Sequence, residues 1–267
     1  MPTGEQCLHE LRRDWTTLGD ADPFWAVYVD PARRGGRWDP AEFLATGERE
    51  IAAAMADLDR LGLSPARCRA LDFGCGAGRL TGALARRFRT VIGVDIARSM
   101  ITVANRLHGA DGRCEFLDND RPDLAIFPDD QFDLVYSSLV LQHLPSALAR
   151  TYLREFVRVT RPGGVIVVLT PERHRRTPGG LVYGYAPGWL VGWIQRALYG
   201  YPAPMRMHAM PAAVVRATAG PIGGELVCSV PRPWPGHWLM AAHIITVGPT
   251  CPNGPARPDP TPDGSVG

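Results

Sequence analysis

The stretch Asp72-Phe73-Gly74-Cys75-Gly76-Ala77-Gly78 lies between a short apolar segment, residues 70–73, and a helical pattern that begins at Arg79. Three glycines at alternate positions are more than a tight turn needs. Glycine allows a positive φ and lets a ligand approach the backbone closely. The helix that follows points its first free N–H groups at whatever lies over the turn. The stretch therefore predicts a ligand-binding loop between a strand and a helix.

Short apolar strands alternate with helices on both sides of this loop. The pattern predicts strands at 70–73, 91–94, 115–117, 132–136 and 165–169, with helices at 48–61, 79–88, 99–107 and 148–159. A short helix near 211–219 and two strands near 225–230 and 239–247 complete it. Such alternation is typical of parallel strands joined by right-handed crossovers. We therefore expect an α/β fold with a doubly wound, mostly parallel, seven-stranded sheet.

Aromatic and glycine-rich segments divide the chain into five parts. We expect an N-terminal aromatic cap segment at 1–47, a cofactor-binding core at 48–170, a substrate-side insertion or lid at 171–210, a C-terminal helix and strands completing the sheet at 211–248, and a disordered tail at 249–267. Residues 1–40 are predicted to be irregular and to pack through their aromatic side chains. The apolar face of a helix at 188–199 fits core packing, a lid, or a surface for a partner or membrane.

The composition argues against several kinds of protein. The formal net charge is only +2, so no strong field favours nucleic acid. No apolar stretch approaches the roughly 20 residues that a membrane-spanning helix needs. The six cysteines contain no C-x-x-C pair, which argues against a zinc site or a disulfide framework. With no N-terminal signal pattern, these features predict a cytoplasmic protein without metal, nucleic acid or a stable membrane span.

The glycine loop resembles the first motif of the class I S-adenosylmethionine-dependent methyltransferases, which is acid-x-G-x-G-x-G after strand one. Further features over residues 41–170 follow in that family's order, including Phe132-Asp133-Leu134-Val135 at the fourth strand and Arg161-Pro162-Gly163-Gly164 at the turn before the fifth. The resemblance implies a Rossmann-like fold that binds S-adenosylmethionine (SAM). A dinucleotide fingerprint, G-x-G-x-x-G, fits less well, because Arg79 replaces its third glycine and Asp72 precedes the turn.

The resemblance also implies which residues hold the cofactor. Asp72 would meet the methionyl ammonium group, and Asp95 would accept hydrogen bonds from both ribose hydroxyls. Met100 would lie beside the adenine, with Asp118 and Asn119 at its edge. The other positions implied at the cofactor are Gly74, Cys75, Gly76, Gly78, Arg79, Ile96 and Ser138.

The residues themselves leave some of these roles open. Asp72 is equally suited to cap the following helix and to contact the cofactor. Asp118 and Asn119 fit an ordinary turn as readily as a ligand contact. Cys75 is expected to be a small residue against the ligand rather than a nucleophile.

Candidate catalytic residues follow the fourth strand or lie in the insertion. Methyl transfer is an in-line displacement with an excellent leaving group, and proximity and orientation supply roughly 7–11 kcal/mol in such reactions. A general base matters only when the acceptor starts protonated. His143 and His208 are candidates for that base, although a backbone-bonded, structural His143 is favoured. His237 is expected to lie in a surface loop.

The acceptor depends on the segments that cover the site. The leader Asp22-Pro23-Phe24-Trp25-Ala26-Val27 resembles that of a bacterial subgroup of these methyltransferases, many of which serve secondary metabolism. We therefore expect a small or medium organic acceptor, or a peptide, methylated on O or N rather than C.

Three other functions use similar scaffolds. A nucleotide-dependent oxidoreductase is disfavoured by Arg79 and Asp72. A non-catalytic SAM-binding scaffold is disfavoured because the glycine loop is complete. Aminopropyl transfer would want acidic residues after the fourth strand, where Ser137-Ser138-Leu139 stands.

Overall fold

The structure is a computed structural model that describes residues 4–248, with side chains described from residue 6 onward. The predicted tail at 249–267 lies outside the described residues.

Seven strands form one sheet in the order β3-β2-β1-β4-β5-β7-β6. The strands are β1 (Arg69–Phe73), β2 (Thr90–Asp95), β3 (Cys114–Asp118), β4 (Phe132–Ser138), β5 (Thr160–His174), β6 (Gly224–Arg232) and β7 (Trp238–Val247). The first five are parallel, and β7 inserts antiparallel between β5 and β6. The expected doubly wound, mostly parallel sheet of seven strands is confirmed.

Nine α-helices are described within residues 4–248. They are α1 (Gly4–Ala21), α2 (Pro23–Val27), α3 (Pro40–Arg60), α4 (Arg79–Ala85), α5 (Arg98–His108), α6 (Ser146–Val159), α7 (Pro178–Tyr185), α8 (Gly188–Tyr199) and α9 (Ala212–Ala219). Short 3₁₀ turns lie at Pro31–Arg33, Leu141–His143 and Gly220–Ile222.

The central strands are apolar on both sides because helices cover both faces of the sheet. Along β5, Val165 and Val167 pack on the face covered by α3 and α4, whereas Ile166 and Val168 pack on the face covered by α6 and α9. Every residue of β4 is buried. Two apolar layers thus fix the position of the sheet edge at which the strands end. In α/β folds, ligands bind at this edge.

The prediction that residues 1–40 are irregular is wrong. Leu8, Leu11, Trp15 and Leu18 recur at helical spacing, and α1 buries this stripe against the core. The prediction rested on the aromatic residues of this segment and overlooked the spacing of its leucines. The helix predicted from 48 begins at Pro40, where the Asp39 side chain accepts a hydrogen bond from the Glu42 N–H and proline occupies the first turn.

Two further elements differ from the sequence prediction. Helix α7 was not predicted, although Pro178 occupies its first position and the Thr177 hydroxyl before it accepts from the Gly180 N–H (3.1 Å). Strand β5 extends well past the predicted 165–169, because β7 pairs with it as far as His174.

Candidate active site

One cavity of about 390 Å³ opens above the carboxyl ends of β1, β2 and β4. This volume lies within the roughly 300–1,000 Å³ typical of small-molecule sites. Of the residues predicted at the site, the structure brings eight to its walls: Gly74, Gly76, Asp95, Ile96, Met100, Asn119, Ser138 and His143. It does not bring there Asp72, Cys75, Gly78, Arg79, Asp118 or His208.

The glycine loop needs glycine for both conformation and space. Gly74, Gly76 and Gly78 adopt φ of 77°, 51° and 82°, which other residues rarely tolerate. A Cβ on Gly74 would overlap Val140, and one on Gly76 would overlap Val27. Gly78 lies behind the loop, where a Cβ would approach the His108 ring. The loop therefore passes between the cavity and its neighbours with no room for side chains.

Asp95 presents a partly satisfied carboxylate to the cavity. One oxygen accepts from the Gly76 N–H (2.9 Å) and the other from the Ala97 N–H (2.9 Å). Burial raises the pKa of Asp95, and the hydrogen bonds from Ala97 and Gly76 oppose that shift. A carboxylate has about four acceptor positions, so capacity remains for two hydroxyl donors. The predicted ribose contact fits this arrangement.

The residues predicted around the adenine divide into two groups. Ile96 and Met100 line the cavity with apolar side chains. Asn119 also lines it, but its amide donates to the Asp123 carbonyl (2.8 Å) and accepts from the Arg121 N–H (3.4 Å) in a local turn. Asp118 pairs instead with Arg98 on the surface (2.9 Å). Asp118 is therefore engaged in an ion pair away from the cavity, whereas Asn119 takes part in the turn and also lines the cavity.

Asp72 is buried beneath the glycine loop rather than facing the cavity. Its carboxyl group accepts a hydrogen bond from the Thr81 hydroxyl on α4 (2.6 Å). Burial raises the pKa of Asp72 to about 7, and the bond from Thr81 opposes the shift. This geometry matches the helix-linked alternative better than a contact with an ammonium group.

Cys75 is also turned away from the cavity. The thiol is buried near Gly93 and Phe116, and burial raises its pKa well above the ordinary value. A thiol that stays protonated is a poor nucleophile, as expected for this residue.

Arg79 supports the loop from behind. Its buried guanidinium pairs with Glu50 of α3 (2.9 Å) and lies over the Tyr28 ring, 5.1 Å from the centroid. Glu50 also accepts a hydrogen bond from the Tyr136 hydroxyl (3.1 Å). Arg79 thus joins α4 to α3 and to the N-terminal segment, and its charge is already neutralised within the fold.

The end of β4 contributes two polar groups, of which Ser138 was predicted at the cofactor and Gln142 was not predicted. Ser138 Oγ and Gln142 Oε1 are buried, line the cavity, and have no hydrogen-bond partner among the described residues. Leu139 between them adopts φ 64°, a conformation that costs a non-glycine residue energy and is often found at functional sites. The available sequence signal was the polar Gln142 directly after the apolar run Leu139-Val140-Leu141.

His143 bridges this loop to the insertion. Its Nδ1 lies 2.6 Å from the Arg206 carbonyl oxygen, so Nδ1 carries the proton and Nε2 accepts. Nε2 lies 3.2 Å from the Gln142 amide nitrogen, and Trp15 contacts the ring edge-on. Burial lowers the pKa of His143 to about 4, and His208 adds to the shift. The ring is therefore neutral and bonded to the backbone, in the arrangement favoured from the sequence.

His208 and His237 do not lie where the sequence predicted. His208 lines a second, smaller cavity together with Cys7 and Asp14 of α1. His237, expected in a surface loop, lines the main cavity and stacks on Tyr183 with ring centroids 4.8 Å apart. The β6–β7 hairpin reaches over the site, which its sequence position did not reveal.

Three segments close the cavity from above. Leu8, Leu11, Trp15 and Val27 come from the N-terminal helices, Tyr183, Tyr201, Met205 and Met207 from the insertion, and Trp234 and Trp238 from the β6–β7 hairpin. Arg34 links the first two segments, because its guanidinium donates to the Tyr199 and Gly200 carbonyls at the end of α8 and stacks on Trp25 (5.0 Å). The upper part of the cavity is therefore mostly apolar and aromatic.

Metal clusters and membrane spans are both missing from the described part of the chain. Among residues 4–248, no three His, Cys, Asp or Glu side chains are arranged to hold a metal ion. None of the helices described there has the length and apolar character to cross a membrane.

A family described as "Methyltransferase domain" matches residues 71–168. A 2-methyl-6-phytyl-1,4-hydroquinone methyltransferase of Synechocystis is 29% identical over 58% of this chain and 48% of its own length. A ubiquinone biosynthesis O-methyltransferase of Cereibacter sphaeroides is 27% identical over 67% of this chain and 70% of its own length. The chain thus spans about half of the first relative and somewhat more than two thirds of the second.

Solved structures share the fold. A magnesium protoporphyrin IX methyltransferase of Synechocystis, solved with S-adenosylhomocysteine (SAH), superposes with a TM-score of 0.60 at 18% identity, over 89% of this chain and 98% of that one. At that identity the likeness shows the fold alone. The matched domain and the sequence relatives are those of methyltransferases, which supports the resemblance of this chain to the class I SAM-dependent methyltransferases.

Proposed function

We propose that this protein transfers a methyl group from SAM to a small or medium, largely apolar organic acceptor, on O or N rather than C. The supporting observation is that one cavity is lined both by the glycine loop with Asp95 and by the aromatic side chains of the covering segments. A single enclosed space lets the donor and the acceptor meet with water excluded. Such positioning is the main requirement of methyl transfer.

The cofactor fits the lower part of the cavity. Asp95 has acceptor capacity for the ribose hydroxyls, Ile96 and Met100 offer an apolar wall for the adenine, and the loop at Gly74 and Gly76 presents bare backbone. When bound there, SAM would supply an electrophilic methyl group, and a lone pair of the acceptor would bond to its carbon in line with the breaking C–S bond, with SAH as the leaving group. We assign Asp72 and Arg79 to the support of this loop, because both are engaged behind it.

The chain's own residues position the acceptor. Ser138 Oγ and Gln142 Oε1 are polar groups at the end of β4 that lack partners among the described residues, and each is suited to orient a polar atom of a ligand. The apolar walls above them exclude water and hold the remainder of the acceptor. We propose that these two groups set the orientation of the ligand in the cavity.

We assign His143 a positioning role. A general base works best when its pKa lies near the working pH, whereas the pKa of His143 is about 4. Its Nδ1–H holds the Arg206 carbonyl and thereby fastens the insertion over the end of β4. His208 opens onto a separate cavity, and we assign it no contact with the acceptor.

Variants at position 143 separate positioning from base catalysis. In His143→Asn, the amide nitrogen takes the place of Nδ1 and keeps the bond to Arg206, but the Nε2 lone pair is lost. We expect turnover within about tenfold of wild type, whereas His143→Ala raises the KM for the acceptor. A loss of about 10²–10⁴-fold in kcat for His143→Asn, the usual contribution of a general base, would contradict the positioning role.

The relatives support an acceptor with an apolar portion. One is described as a methyltransferase of a phytyl hydroquinone, and others as ubiquinone biosynthesis and demethylmenaquinone methyltransferases. A hydroxyl-bearing ring with an apolar tail would suit the aromatic upper walls of the cavity.

The five described cysteines are free, which supports a reducing, cytoplasmic setting for this reaction.

Transfer of a labelled methyl group tests the proposal. Purified protein would be incubated with methyl-labelled SAM and three acceptors: a hydroquinone with a short prenyl tail, a small dicarboxylic acid and an unstructured peptide. We expect label in the hydroquinone and little in the acid or peptide. Label in the acid or peptide alone would overturn the apolar acceptor, and no transfer to any compound by protein that binds SAH would contradict the proposed acceptor class.

A further inference from the structure

Helices α7 and α8 expose an unusual amount of apolar surface. We call the side chains of Leu181, Val182, Tyr185, Trp189 and Trp193 the α7–α8 face. Tyr185 is 76% exposed, Trp189 74% and Trp193 60%. Large exposed apolar patches on soluble proteins mark interaction surfaces. The face is therefore a candidate interaction surface.

The opposite side of α8 packs against the rest of the protein. Val191 and Gln195 are buried, and the Gln195 amide makes two hydrogen bonds of 2.9 Å with the Met205 backbone. A helix on the surface of a globular protein normally turns polar residues outward. Here the outward side carries Trp189 and Trp193 instead, so the helix has apolar residues on both sides.

The charge of this region points to a negatively charged partner. Residues 173–224 contain six Arg and no Asp or Glu, whereas the other 215 residues contain 23 Arg and 27 acidic residues. Arg176 and Arg196 are exposed, and neither forms an ion pair within the described part of the chain. The α7–α8 face is therefore flanked by unneutralised positive charge in a chain that is elsewhere slightly acidic.

A second copy of this chain does not complement the face. In a two-fold dimer the same patch meets itself, so the Arg side chains of one copy would approach those of the other. Like charges brought together in this way oppose association. A membrane surface with anionic lipids complements both properties, because Trp and Tyr favour the boundary between headgroups and acyl chains while Arg binds the lipid phosphates.

The α7–α8 face lies close to the main cavity. Tyr183 on α7 and Gln195 on α8 line the main cavity, so the two helices separate the cavity from the outer apolar face. We infer that the α7–α8 face docks on the surface of a bilayer that contains anionic lipids, with α7 and α8 lying in the interface. Helices of 8 and 12 residues are too short to span a bilayer but long enough to lie in its boundary. This inference does not rest on methyl transfer.

Vesicle binding tests the inference directly. The full-length protein would be mixed with vesicles of phosphatidylcholine alone or with a third of phosphatidylglycerol, and binding followed by sedimentation and by tryptophan emission. We expect binding to the anionic vesicles with a blue shift of the emission, at least tenfold weaker binding to phosphatidylcholine alone, and weakening by added salt.

Paired variants locate the contact. Trp189→Ser with Trp193→Ser should reduce binding to anionic vesicles at least tenfold, whereas Ile126→Ser, at an apolar residue 43% exposed elsewhere on the surface, should leave it unchanged. Arg176→Glu with Arg196→Glu should weaken binding similarly, and Arg150→Glu with Arg154→Glu on α6 should not. SAH affinity and circular dichroism serve as checks on folding.

Three results would overturn the inference. One is the absence of binding to anionic vesicles by folded wild-type protein. Another is binding that the Trp189 and Trp193 variant leaves unchanged. The third is a concentration-dependent dimer that this variant abolishes in the absence of vesicle binding, which would assign the face to a second copy of the chain.

Discussion

The carboxyl group of Asp72 is buried beneath the cofactor loop with its hydrogen bond to Thr81. Its pKa is about 7 in the folded protein, whereas an unperturbed aspartate has a pKa of 3.8. A raised folded-state pKa means that the native state binds the proton more tightly than the unfolded state does. The associated stability is fully present below about pH 4 and is lost as the pH rises through about 7.

Replacement of this carboxyl group should change the pH dependence of stability. Asp72→Asn cannot ionise and keeps an acceptor for Thr81, so it avoids the loss between about pH 4 and 7. We expect the free energy of unfolding of Asp72→Asn, relative to wild type, to be larger at pH 8 than at pH 4.5 in urea titrations. A relative stability that does not vary with pH would show that Asp72 titrates alike in both states.

At the scale of elements, the pair between Arg79 and Glu50 fastens α3 to the helix that follows the cofactor loop. Glu50→Gln would leave the buried guanidinium without its counter-charge, and breaking a buried pair from one side costs about 3 kcal/mol or more. Urea denaturation measures this cost. Glu48→Gln is the matched control, because Glu48 pairs with exposed Arg86 and its loss should cost less than about 1 kcal/mol. Equal losses of unfolding free energy in Glu50→Gln and Glu48→Gln would contradict the special role of Glu50.

Arg34 fastens the N-terminal segment to the last turn of α8. Arg34→Met keeps much of the side-chain length but loses both bonds to the Tyr199 and Gly200 carbonyls. We expect amide exchange over residues 188–200 to accelerate about tenfold or more, and the KM for the acceptor to rise while SAH affinity is unchanged. Arg37→Met, in the same loop but exposed, is the control. Unchanged exchange in Arg34→Met would show that other contacts hold α8 in place.

The elements that were predicted correctly are those whose local sequence pattern already reflects their burial in the folded protein. The strands of the parallel sheet are short apolar runs because helices cover both faces, and that signal is local. Helix α1 was missed because the partner of its apolar stripe, the cavity edge, is distant in the chain. The full length of β5 depends on pairing with β7, some 70 residues later.

At the scale of the whole molecule, the candidate site was predictable where the chain itself creates the geometry. Gly74, Gly76 and Asp95 sit at strand ends, and parallel strands bring those ends together. Sequence did not show that Asp72 and Arg79 turn away, because that depends on Thr81 and Glu50. Nor did it show that the β6–β7 hairpin reaches the cavity, since its connection to the site is purely tertiary.

Calorimetric titration with SAH tests the central claim, that Asp95 and the glycine loop form the cofactor site. We expect micromolar binding to wild type and no binding of NADH or NADPH. Asp95→Asn should weaken SAH binding by about 2–3 kcal/mol, or about 30- to 150-fold, through the charge-assisted hydrogen bonds it loses. Asp118→Asn, at the position paired with Asp95 on β3, should bind within about threefold of wild type. Undiminished affinity in folded Asp95→Asn, or binding of a nicotinamide cofactor in place of SAH, would contradict the account.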